Sequence, residues 1–279
     1  MKTQRKRIGR TWSALAVVLT TLGCAPPGSR LPADHTAALR KTVHVGPPLA
    51  ADISYLAAGD PQGMRVILVH GTPGSAEGWA DYLLEPPPGL EVLALDRPGF
   101  GRSGPEGAVT SLAAQAAAVA ALLPADGRPA VLLGHSLCGP IVARVAVDHP
   151  DRVAALVLLA ASLDPALEET HPMQPLGTWW PVRTLLPRAI RNANAELMAL
   201  RPELVQLAGM LAQVTAPVII VHGTADDLVP VANVAFMQAR FSAARCRETV
   251  LLKGSNHFLP WNAEAAVRSA IGWAAGQPC

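Results

Sequence analysis

The sequence predicts an α/β domain with a mostly parallel central sheet, helices on both faces and a short helical cap insertion. Apolar runs of strand length alternate along the chain with longer helical patterns, an order typical of a parallel sheet covered on both sides. The chain has 279 residues, of which 50% are hydrophobic. This length and composition suit one large domain with a well-buried core.

Seven apolar runs predict the strands of the sheet, and four helical patterns predict helices that cover it. The strands are expected near residues 53–58, 65–69, 90–95, 130–133, 154–159, 217–221 and 249–253. The helices are expected at residues 111–123, 139–148, 231–241 and 262–275. Units of strand, helix and strand of this kind build parallel pairs by right-handed crossovers.

One stretch interrupts the alternation. Between the strand that ends near Ala160 and the strand that begins at Pro217, the chain shows helical patterns and several prolines but no strand pattern. This insertion predicts a helical cap, about residues 163–212, over the strand ends where ligands bind in open α/β sheets. Trp179 and Trp180 could form one wall of an apolar substrate pocket; alternatively, they only hold the cap against the body.

The first residues have the build of a bacterial export signal. A cationic stretch ends at Arg10, and the apolar stretch from Trp12 to Leu22 is short for a membrane span of about 20 residues. Gly23-Cys24 resembles the end of a lipobox, in which the cysteine is acylated and becomes the new N-terminus. The resemblance implies a lipid anchor on Cys24 at a bacterial membrane. The alternative is a cleaved, unlipidated signal and a periplasmic or secreted protein.

The signal divides the chain into three parts. Residues 1–24 form the signal, residues 25–41 are rich in proline and predict a tether, and residues 42–279 form the folded domain. The formal net charge of the whole chain is +2, but without the five basic residues of the signal 18 basic residues stand against 21 acidic ones. Because no basic stripe is present either, a nucleic-acid partner is not expected.

Three cysteines follow the signal. Cys138 lies in a predicted turn and is expected to be buried. Cys246 directly precedes the last predicted strand, and Cys279 follows the last predicted helix. Because such a helix returns to the sheet edge where its strand began, these two cysteines should lie together. We expect a disulfide between them, which an exported protein can form, whereas two unrelated thiols are the alternative.

Residues 130–139, with the sequence AVLLGHSLCG, predict a strand, a sharp turn and a helix. That order exposes Ser136, in the turn, at the end of a parallel sheet, where a serine can act as a nucleophile. The segment departs from the pattern G-x-S-x-G, because Cys138 stands at the last position and glycine follows one residue later.

A general base and an orienting acid are expected after the serine, in the chain order acid and then histidine. Asp226 follows the predicted strand at 217–221, and His257 follows the predicted strand at 249–253. Loops that follow parallel strands meet at one sheet edge, so both side chains can converge on Ser136. Histidine suits the role of base because it titrates near neutral pH.

Two further motifs make the chain similar to the α/β-hydrolase fold superfamily over about residues 42–277. The segment HGTPG, residues 70–74, resembles the family's oxyanion loop. The segment DRPGFGRS, residues 96–103, resembles its D-x-P-G-x-G-x-S turn. The resemblance implies the α/β-hydrolase fold and a catalytic triad of Ser136, Asp226 and His257.

The resemblance also implies how the triad is completed. Asp226 is the expected acid, while its neighbour Asp227 and the more distant Asp164 remain as alternatives. The backbone N–H groups of Thr72 and Leu137 are expected to form the oxyanion hole. For these two residues the backbone conformation therefore matters more than the side chain.

Cofactors and metals are not expected. Gly99 to Gly104 fit the pattern G-x-G-x-x-G, which can cradle the phosphates of a dinucleotide. That function requires a helix that begins within the motif, whereas Pro105 follows here, so the glycines are expected to form a tight turn. The remaining histidines lack the spacing of metal ligands, so no metal site is predicted.

The expected function is that of an exported serine hydrolase, which cleaves a small carboxylic ester through an acyl-enzyme intermediate without a cofactor. A carbon–carbon bond hydrolase or an acyltransferase could use the same triad. A membrane-tethered binding protein that keeps the fold without turnover is an alternative of another class. Its sequence support is Cys138, since a side chain beside the serine turn could distort it.

Overall fold

The computed structural model describes residues 31–170, 172–276 and 279. Eight strands in these residues form one sheet, in the spatial order β1-β2-β4-β3-β5-β6-β7-β8. β2 pairs antiparallel with β1 and β4, and the other neighbouring pairs are parallel. The strands are Arg40–Val45 (β1), Ala51–Gly59 (β2), Met64–Val69 (β3), Leu90–Leu95 (β4), Ala130–His135 (β5), Val153–Leu159 (β6), Val218–Gly223 (β7) and Arg247–Leu252 (β8).

The central strands are buried on both faces, which explains their continuous apolar sequences. Every residue of β4, β5 and β7 is buried. A strand covered by helices on both sides has no polar face, so its sequence does not alternate. Such strands place the loops at their carboxyl ends on one edge of the sheet, where the candidate site lies.

Nine α-helices accompany the sheet in the described part of the chain. They are Ala33–Leu39 (α1), Ala80–Leu84 (α2), Leu112–Ala120 (α3), Cys138–Asp148 (α4), Trp180–Leu185 (α5), Arg188–Ala208 (α6), Asn233–Arg240 (α7), Leu259–Asn262 (α8) and Glu264–Ala275 (α9). Apolar residues of α3, α4, α6 and α7 share one core cluster, while those of α2 and α9 belong to a second cluster. The two clusters cover opposite faces of the sheet, as the predicted fold class requires.

The predicted fold class is confirmed, and each of the seven expected strands is present with small changes at its ends. The proposed boundary at residue 42 is corrected, because ordered structure begins earlier. Residues 33–39 form α1, and β1 begins at Arg40, which lies inside the expected tether. Arg40 binds Asp96 and Glu77 with its guanidinium, at 2.8 Å each, so this segment is part of the folded body.

The cap between β6 and β7 is helical and contains no strand among its described residues. It comprises the 3₁₀ turn Gln174–Thr178, α5, the long helix α6 and the 3₁₀ turn Leu211–Gln213. The buried face of α6 includes Asn192, Glu196, Leu200 and Leu204, at the spacing of one side of a helix. None of the helices in the described residues is long and apolar enough to cross a membrane. The predicted export signal at residues 1–24 lies outside the described residues.

Candidate active site

Ser136 lies in the tight turn between β5 and α4. Its φ is 60°, the left-handed region that side chains other than glycine rarely adopt. The turn is possible because a Cβ on Gly134 would come within 2.3 Å of the Cys138 carbonyl oxygen, so only glycine fits there. Ser136 is partly exposed, although its neighbours His135 and Leu137 are buried. The turn thus presents the hydroxyl-bearing residue at the surface of an otherwise buried segment.

Cys138, at the unusual position of the motif, leaves this turn intact. Its side chain is fully buried, and Sγ donates a hydrogen bond to the carbonyl oxygen of His70 at 2.6 Å. Burial raises the pKa of the thiol to about 12, so the group stays protonated and can donate. Glycine follows at position 139, where a Cβ would come within 2.3 Å of the Ala161 side chain. The cysteine therefore links the serine turn to the loop that begins at His70.

Asp226 and His257 lie in the loops after β7 and β8. Nδ1 of His257 lies 2.8 Å from Oδ2 of Asp226, and because a carboxylate only accepts, this nitrogen carries the proton. Oδ1 of Asp226 accepts from the backbone N–H groups of Leu228 and Val229, at 3.0 and 2.8 Å. Burial alone would raise the pKa of Asp226, but these hydrogen bonds hold it below its usual value. The aspartate is thus ionised and fixed beside the imidazole.

The other two carboxylates considered from the sequence occupy different environments. Asp227 is exposed, and the carboxylate of Asp164 accepts a hydrogen bond from the backbone of Ala166. The structure therefore brings Asp226, and neither of these, into contact with His257.

Two further histidines support the pair of Asp226 and His257. Nε2 of His135 donates to the carbonyl oxygen of His257 at 3.0 Å, and the two rings lie 4.8 Å apart. Burial, together with the nearby His257, lowers the pKa of His135 to about 3, so its ring remains neutral. Nε2 of His222 donates to the Val229 carbonyl oxygen at 3.0 Å and lies 3.6 Å from Asp226. Each ring braces a loop of the site.

His70 braces the candidate oxyanion loop. Its Nδ1 donates to the carbonyl oxygen of Gly71 at 2.7 Å, and its Nε2 accepts from the backbone N–H of Arg97 at 3.1 Å. Burial lowers the pKa of His70 well below its usual value, and the guanidinium of Arg97 lowers it further. A Cβ on Gly71 would lie 3.1 Å from the Ser136 side chain, so this loop runs directly beside the serine.

The two expected oxyanion donors belong to the loop after β3 and to the serine turn. Thr72 follows Gly71 in the loop after β3, while Leu137 immediately precedes the first residue of α4. Backbone N–H groups at the start of a helix have no acceptor within it, and the helix dipole favours negative charge there. Thr72 and Ser136 line the same cavity.

A buried ionic cluster that was not predicted ties the cap to the oxyanion loop. Glu196, on α6, receives hydrogen bonds from both terminal nitrogens of Arg97, at 2.7 and 3.0 Å. It also receives one from Oγ1 of Thr72 and one from Nε2 of Gln115, each at 2.7 Å. Nε of Arg97 in turn donates to the carbonyl oxygen of His70 at 3.0 Å. Arg97 and Glu196 thus hold the loop that begins at His70.

A small pocket, partly open to solvent, lies beside the serine. Ser136, His257 and the loop of residues 70–75 form one part of its lining. The remaining lining residues are mostly aromatic: Gly78, Trp79, His135, Phe258 and Trp261.

The aromatic side chains of this lining are held in place by contacts with one another and with the backbone. Nε1 of Trp261 donates to the carbonyl oxygen of Gly78 at 2.9 Å, and its ring meets His135 edge to face. No sequence motif points to Trp261 or Phe258 as pocket residues, although both lie within five residues of His257.

The expectation that Trp179 and Trp180 form a wall of the substrate pocket is not met. They are 62% and 75% exposed, and neither lines the cavity beside Ser136. Both tryptophans are exposed because their segment packs on the side of helix α6 that faces away from the serine. Nδ2 of Asn194 binds the carbonyl oxygen of Gln174, whereas Glu196 faces the oxyanion loop. Side chains two positions apart on an α-helix point in nearly opposite directions. The segment that contacts Asn194 therefore lies on the side of α6 away from the oxyanion loop.

The cysteines and the glycine-rich turn complete the predicted features. The structure joins Cys246 and Cys279 by a disulfide with a Cα–Cα distance of 6.3 Å, whereas Cys24 lies outside the described residues.

In the turn at 96–103, a Cβ on Gly101, whose φ is 51°, would come within 2.2 Å of the Asp96 carboxylate. The glycines thus allow the backbone to wrap around that side chain.

The fold and the site together define an α/β hydrolase with a serine turn, and comparisons agree. Residues 65–185 match the family described as alpha/beta hydrolase fold. A non-heme chloroperoxidase from Streptomyces lividans is 31% identical over 238 residues, which cover 69% of this chain and 85% of the relative. The chain belongs to the α/β-hydrolase fold family.

Two other proteins are similar to this chain, one in part of its sequence and one in its fold. The dihydrolipoyllysine-residue acetyltransferase component of an acetoin cleaving system from Cupriavidus necator is 38% identical over 96 residues. The match covers 34% of this chain, which spans only 26% of that relative's length. The crystal structure of a monoacylglycerol lipase from Paleococcus ferrophilus superposes with a TM-score of 0.67 and 21% identity, covering 81% of this chain and 99% of the other. This structural match shows the fold.

Proposed function

We propose that the protein is an exported serine hydrolase that cleaves a carboxylic ester through an acyl-enzyme intermediate. The observation that carries the proposal is the 2.8 Å contact between Asp226 and His257, with His257 and Ser136 lining one cavity. A serine hydroxyl is a weak nucleophile by itself, and a positioned base with an orienting acid is the arrangement that activates it.

The reaction follows from the groups present. Nε2 of His257 accepts the proton of Ser136 Oγ as this oxygen attacks the ester carbonyl carbon. The negative charge that develops on the carbonyl oxygen is stabilised by the N–H groups of Thr72 and Leu137. His257 then gives the proton to the departing alcohol, which leaves the acyl group on Ser136. A water molecule, deprotonated by the same histidine, releases the acid and restores the serine.

Asp226 makes both proton transfers possible without exchanging a proton itself. It holds the imidazole in the tautomer whose Nε2 is free to accept, and it stabilises the imidazolium that forms. The hydrogen bonds from the backbone at Leu228 and Val229 keep its carboxylate ionised for this role.

The aromatic lining favours an ester with a small apolar group. Trp79, Phe258 and Trp261 offer flat apolar surfaces beside the reacting serine, which suit an apolar acyl group. A panel of p-nitrophenyl esters of increasing acyl length tests this, with kcat/KM expected to peak at short to medium chains. A maximum at long chains would contradict the proposal for the substrate.

Two other activities could use the same groups. An acyltransferase would pass the acyl group from Ser136 to an added alcohol, and a carbon–carbon bond hydrolase would cleave beside a ketone. Product analysis by mass spectrometry separates them: hydrolysis gives the free acid even when a competing alcohol is present. No release of nitrophenol by folded protein would favour the non-catalytic binding protein instead.

The proposed location is the cell envelope of a bacterium, with the chain anchored by lipid on Cys24. The sequence of residues 1–24 supports this proposal. Mass spectrometry of the mature N-terminus tests it directly. A diacylated or triacylated Cys24 at the N-terminus is expected, and a plain cleaved end would contradict the anchor and leave the catalytic proposal untouched.

A further inference from the structure

The outer side of the cap carries large apolar side chains that are exposed to solvent. Leu176, Trp179, Trp180 and Leu185 are 48%, 62%, 75% and 85% exposed. They lie within ten residues of one another, on the 3₁₀ turn Gln174–Thr178, on α5 and at Trp179 between the two, and we name this set the cap patch. A cluster of exposed apolar groups of this size in a water-soluble domain marks a surface that contacts something else.

The charges around the cap patch restrict what can cover it. Residues 170–195 contain no Asp or Glu, but they contain Arg183, Arg188 and Arg191. Arg183 is exposed within α5, between the tryptophans and Leu185. A second copy of the same patch would bring like charges together, which opposes self-association. The complementary surface is therefore apolar and negatively charged.

The side chains of the cap patch match the interfacial region of a bilayer. Tryptophan is favoured there because its ring is apolar and its N–H is polar, and leucine enters the acyl boundary. Arginine beside such residues binds the headgroups of anionic lipids. A short helix with this composition that lies outside the core is typical of a segment that rests in the plane of a membrane surface.

The chain is fastened to the body at Arg188, directly after the cap patch. The guanidinium of Arg188 donates to the carbonyl oxygens of Gly101, Ser103 and Pro105, at 3.0, 2.6 and 2.9 Å. It also forms an ion pair with Glu106 at 3.4 Å. The cap segment is thus tied to the body directly after α5.

The length of chain before the described residues also agrees with a nearby membrane. Leu31 is buried in the body, and seven peptide steps separate it from the predicted lipid-bearing Cys24. Seven steps span at most about 25 Å when fully extended. Leu31 packs in the cluster opposite to that of α6, so the tether keeps the body near the bilayer without itself selecting the cap face.

We propose that the cap patch is a membrane-contact surface, which inserts Trp179, Trp180 and Leu185 into the interfacial region of a bilayer that contains anionic lipid. This contact is separate from the ester hydrolysis and does not require it. It orients the body on the membrane in addition to any attachment at the N-terminus.

Spin labels placed at two positions of the full chain test the proposal. Leu185→Cys puts the label in the patch, and Leu251→Cys puts it on β8, where the native residue is 52% exposed. Each labelled chain is bound to vesicles of phosphatidylethanolamine and phosphatidylglycerol, and collision with oxygen and with a nickel chelate is measured. The unsubstituted chain, treated identically, gives the background from native thiols.

The label at position 185 is expected to gain oxygen collisions and lose nickel collisions severalfold on vesicles, while the label at position 251 stays water-like. Arg183→Glu should reduce this change at position 185, whereas Arg245→Glu, at an exposed arginine outside the cap, should not. The proposal is overturned if the label at position 185 remains water-like on vesicle-bound chain. Dipolar broadening at position 185 in solution would also overturn it, in favour of contact between copies of the chain.

Discussion

Thr72 Oγ1 donates a hydrogen bond of 2.7 Å to Glu196 Oε2, which joins the oxyanion loop to the cap helix α6. The same carboxylate holds the guanidinium of Arg97, which binds the carbonyl oxygen of His70 at the start of the loop. The position of the Thr72 backbone N–H therefore depends on a helix inserted more than 100 residues later in the chain. In this protein the cap helix supports the loop that carries the proposed oxyanion donor Thr72.

The first prediction concerns this support. Thr72→Val removes the hydroxyl that binds Glu196 but retains the backbone N–H and a similar shape. We expect kcat for ester hydrolysis to fall by roughly tenfold to a hundredfold with a small change in KM, because a displaced donor acts on the transition state more than on the bound ester.

Two further variants make this prediction specific. Thr72→Ser keeps the hydroxyl and should retain most of the activity. Glu196→Gln should lower the free energy of unfolding by about 3–5 kcal/mol, because it leaves the buried Arg97 without its counter-charge. Glu248→Gln, on an exposed residue of β8, is the matched control. Full activity in Thr72→Val would show that the hydrogen bond does not position the loop.

The second prediction identifies the acid of the triad. Asp226→Asn should lower kcat by roughly ten thousandfold, by analogy with the serine protease triad, because an amide no longer selects the useful tautomer of His257. Asp227→Asn and Asp164→Asn should leave kcat nearly unchanged, since neither carboxylate contacts the imidazole. Steady-state kinetics on one nitrophenyl ester compares all three. A large loss in either of the latter two, with the fold retained, would reassign the acid.

The loops that carry Ser136, Asp226 and His257, the proposed triad, could be predicted from the sequence because each follows a short apolar strand. The first and last residues of such a strand can be located in the sequence because the apolar run begins and ends with the strand. The carboxyl ends of parallel strands lie at one edge of the sheet. Asp226 and Asp227 could not be separated by that reasoning, since they are adjacent in one loop. The structure separates them by burial and by the contact of Asp226 with His257.

Other features depend on packing between distant segments of the chain and cannot be recognised from the local sequence. Glu196 resembles any helical glutamate in the sequence, and only tertiary structure brings it to Arg97 and Thr72. Arg40 lies in a segment whose prolines suggested a tether, but its ion pairs with Asp96 and Glu77 fix it to the body. Composition alone does not show such long-range pairs.

The third prediction concerns Cys138. Cys138→Gly restores the usual motif and should keep kcat within about threefold, because the serine turn depends on Gly134 rather than on this side chain. It should lower the free energy of unfolding by about 1–2 kcal/mol, through loss of the bond to His70 and the introduction of glycine into a helix. Cys138→Ala, which removes the sulfur without adding backbone freedom, isolates the first of these costs.

Kinetics and urea unfolding of these two Cys138 variants supply the measurement. A hundredfold loss of kcat in the folded Cys138→Gly protein would show that the thiol takes part in catalysis and would contradict this description of the turn.

The fourth prediction concerns stability against pH. The pKa of buried His135 falls to about 3 in the folded protein, but in the unfolded chain it is near 6.5. Between these values the unfolded chain binds the extra proton, so the free energy of unfolding decreases as the pH falls from 6.5 toward 3. From pH 6.5 to 5 this one group accounts for at most about 2 kcal/mol.

Urea unfolding at pH 7 and pH 5 measures that decrease. His135→Gln should make the difference between the two pH values smaller, because the residue that gains a proton on unfolding is gone. His149→Gln, at an exposed histidine, should leave the difference unchanged. An equal pH dependence in all three proteins would show that His135 binds its proton with similar affinity in the folded and unfolded states.

The central claim is that Ser136 is a nucleophile activated by His257 and Asp226, and covalent labelling tests it most directly. The full chain is treated with a fluorophosphonate, and its intact mass is measured beside that of the folded Ser136→Ala variant. We expect one phosphonyl adduct on the unsubstituted chain, located on Ser136 by peptide mapping, and no adduct on the variant. An unmodified, well-folded native chain, or an adduct that persists in Ser136→Ala, would contradict the account.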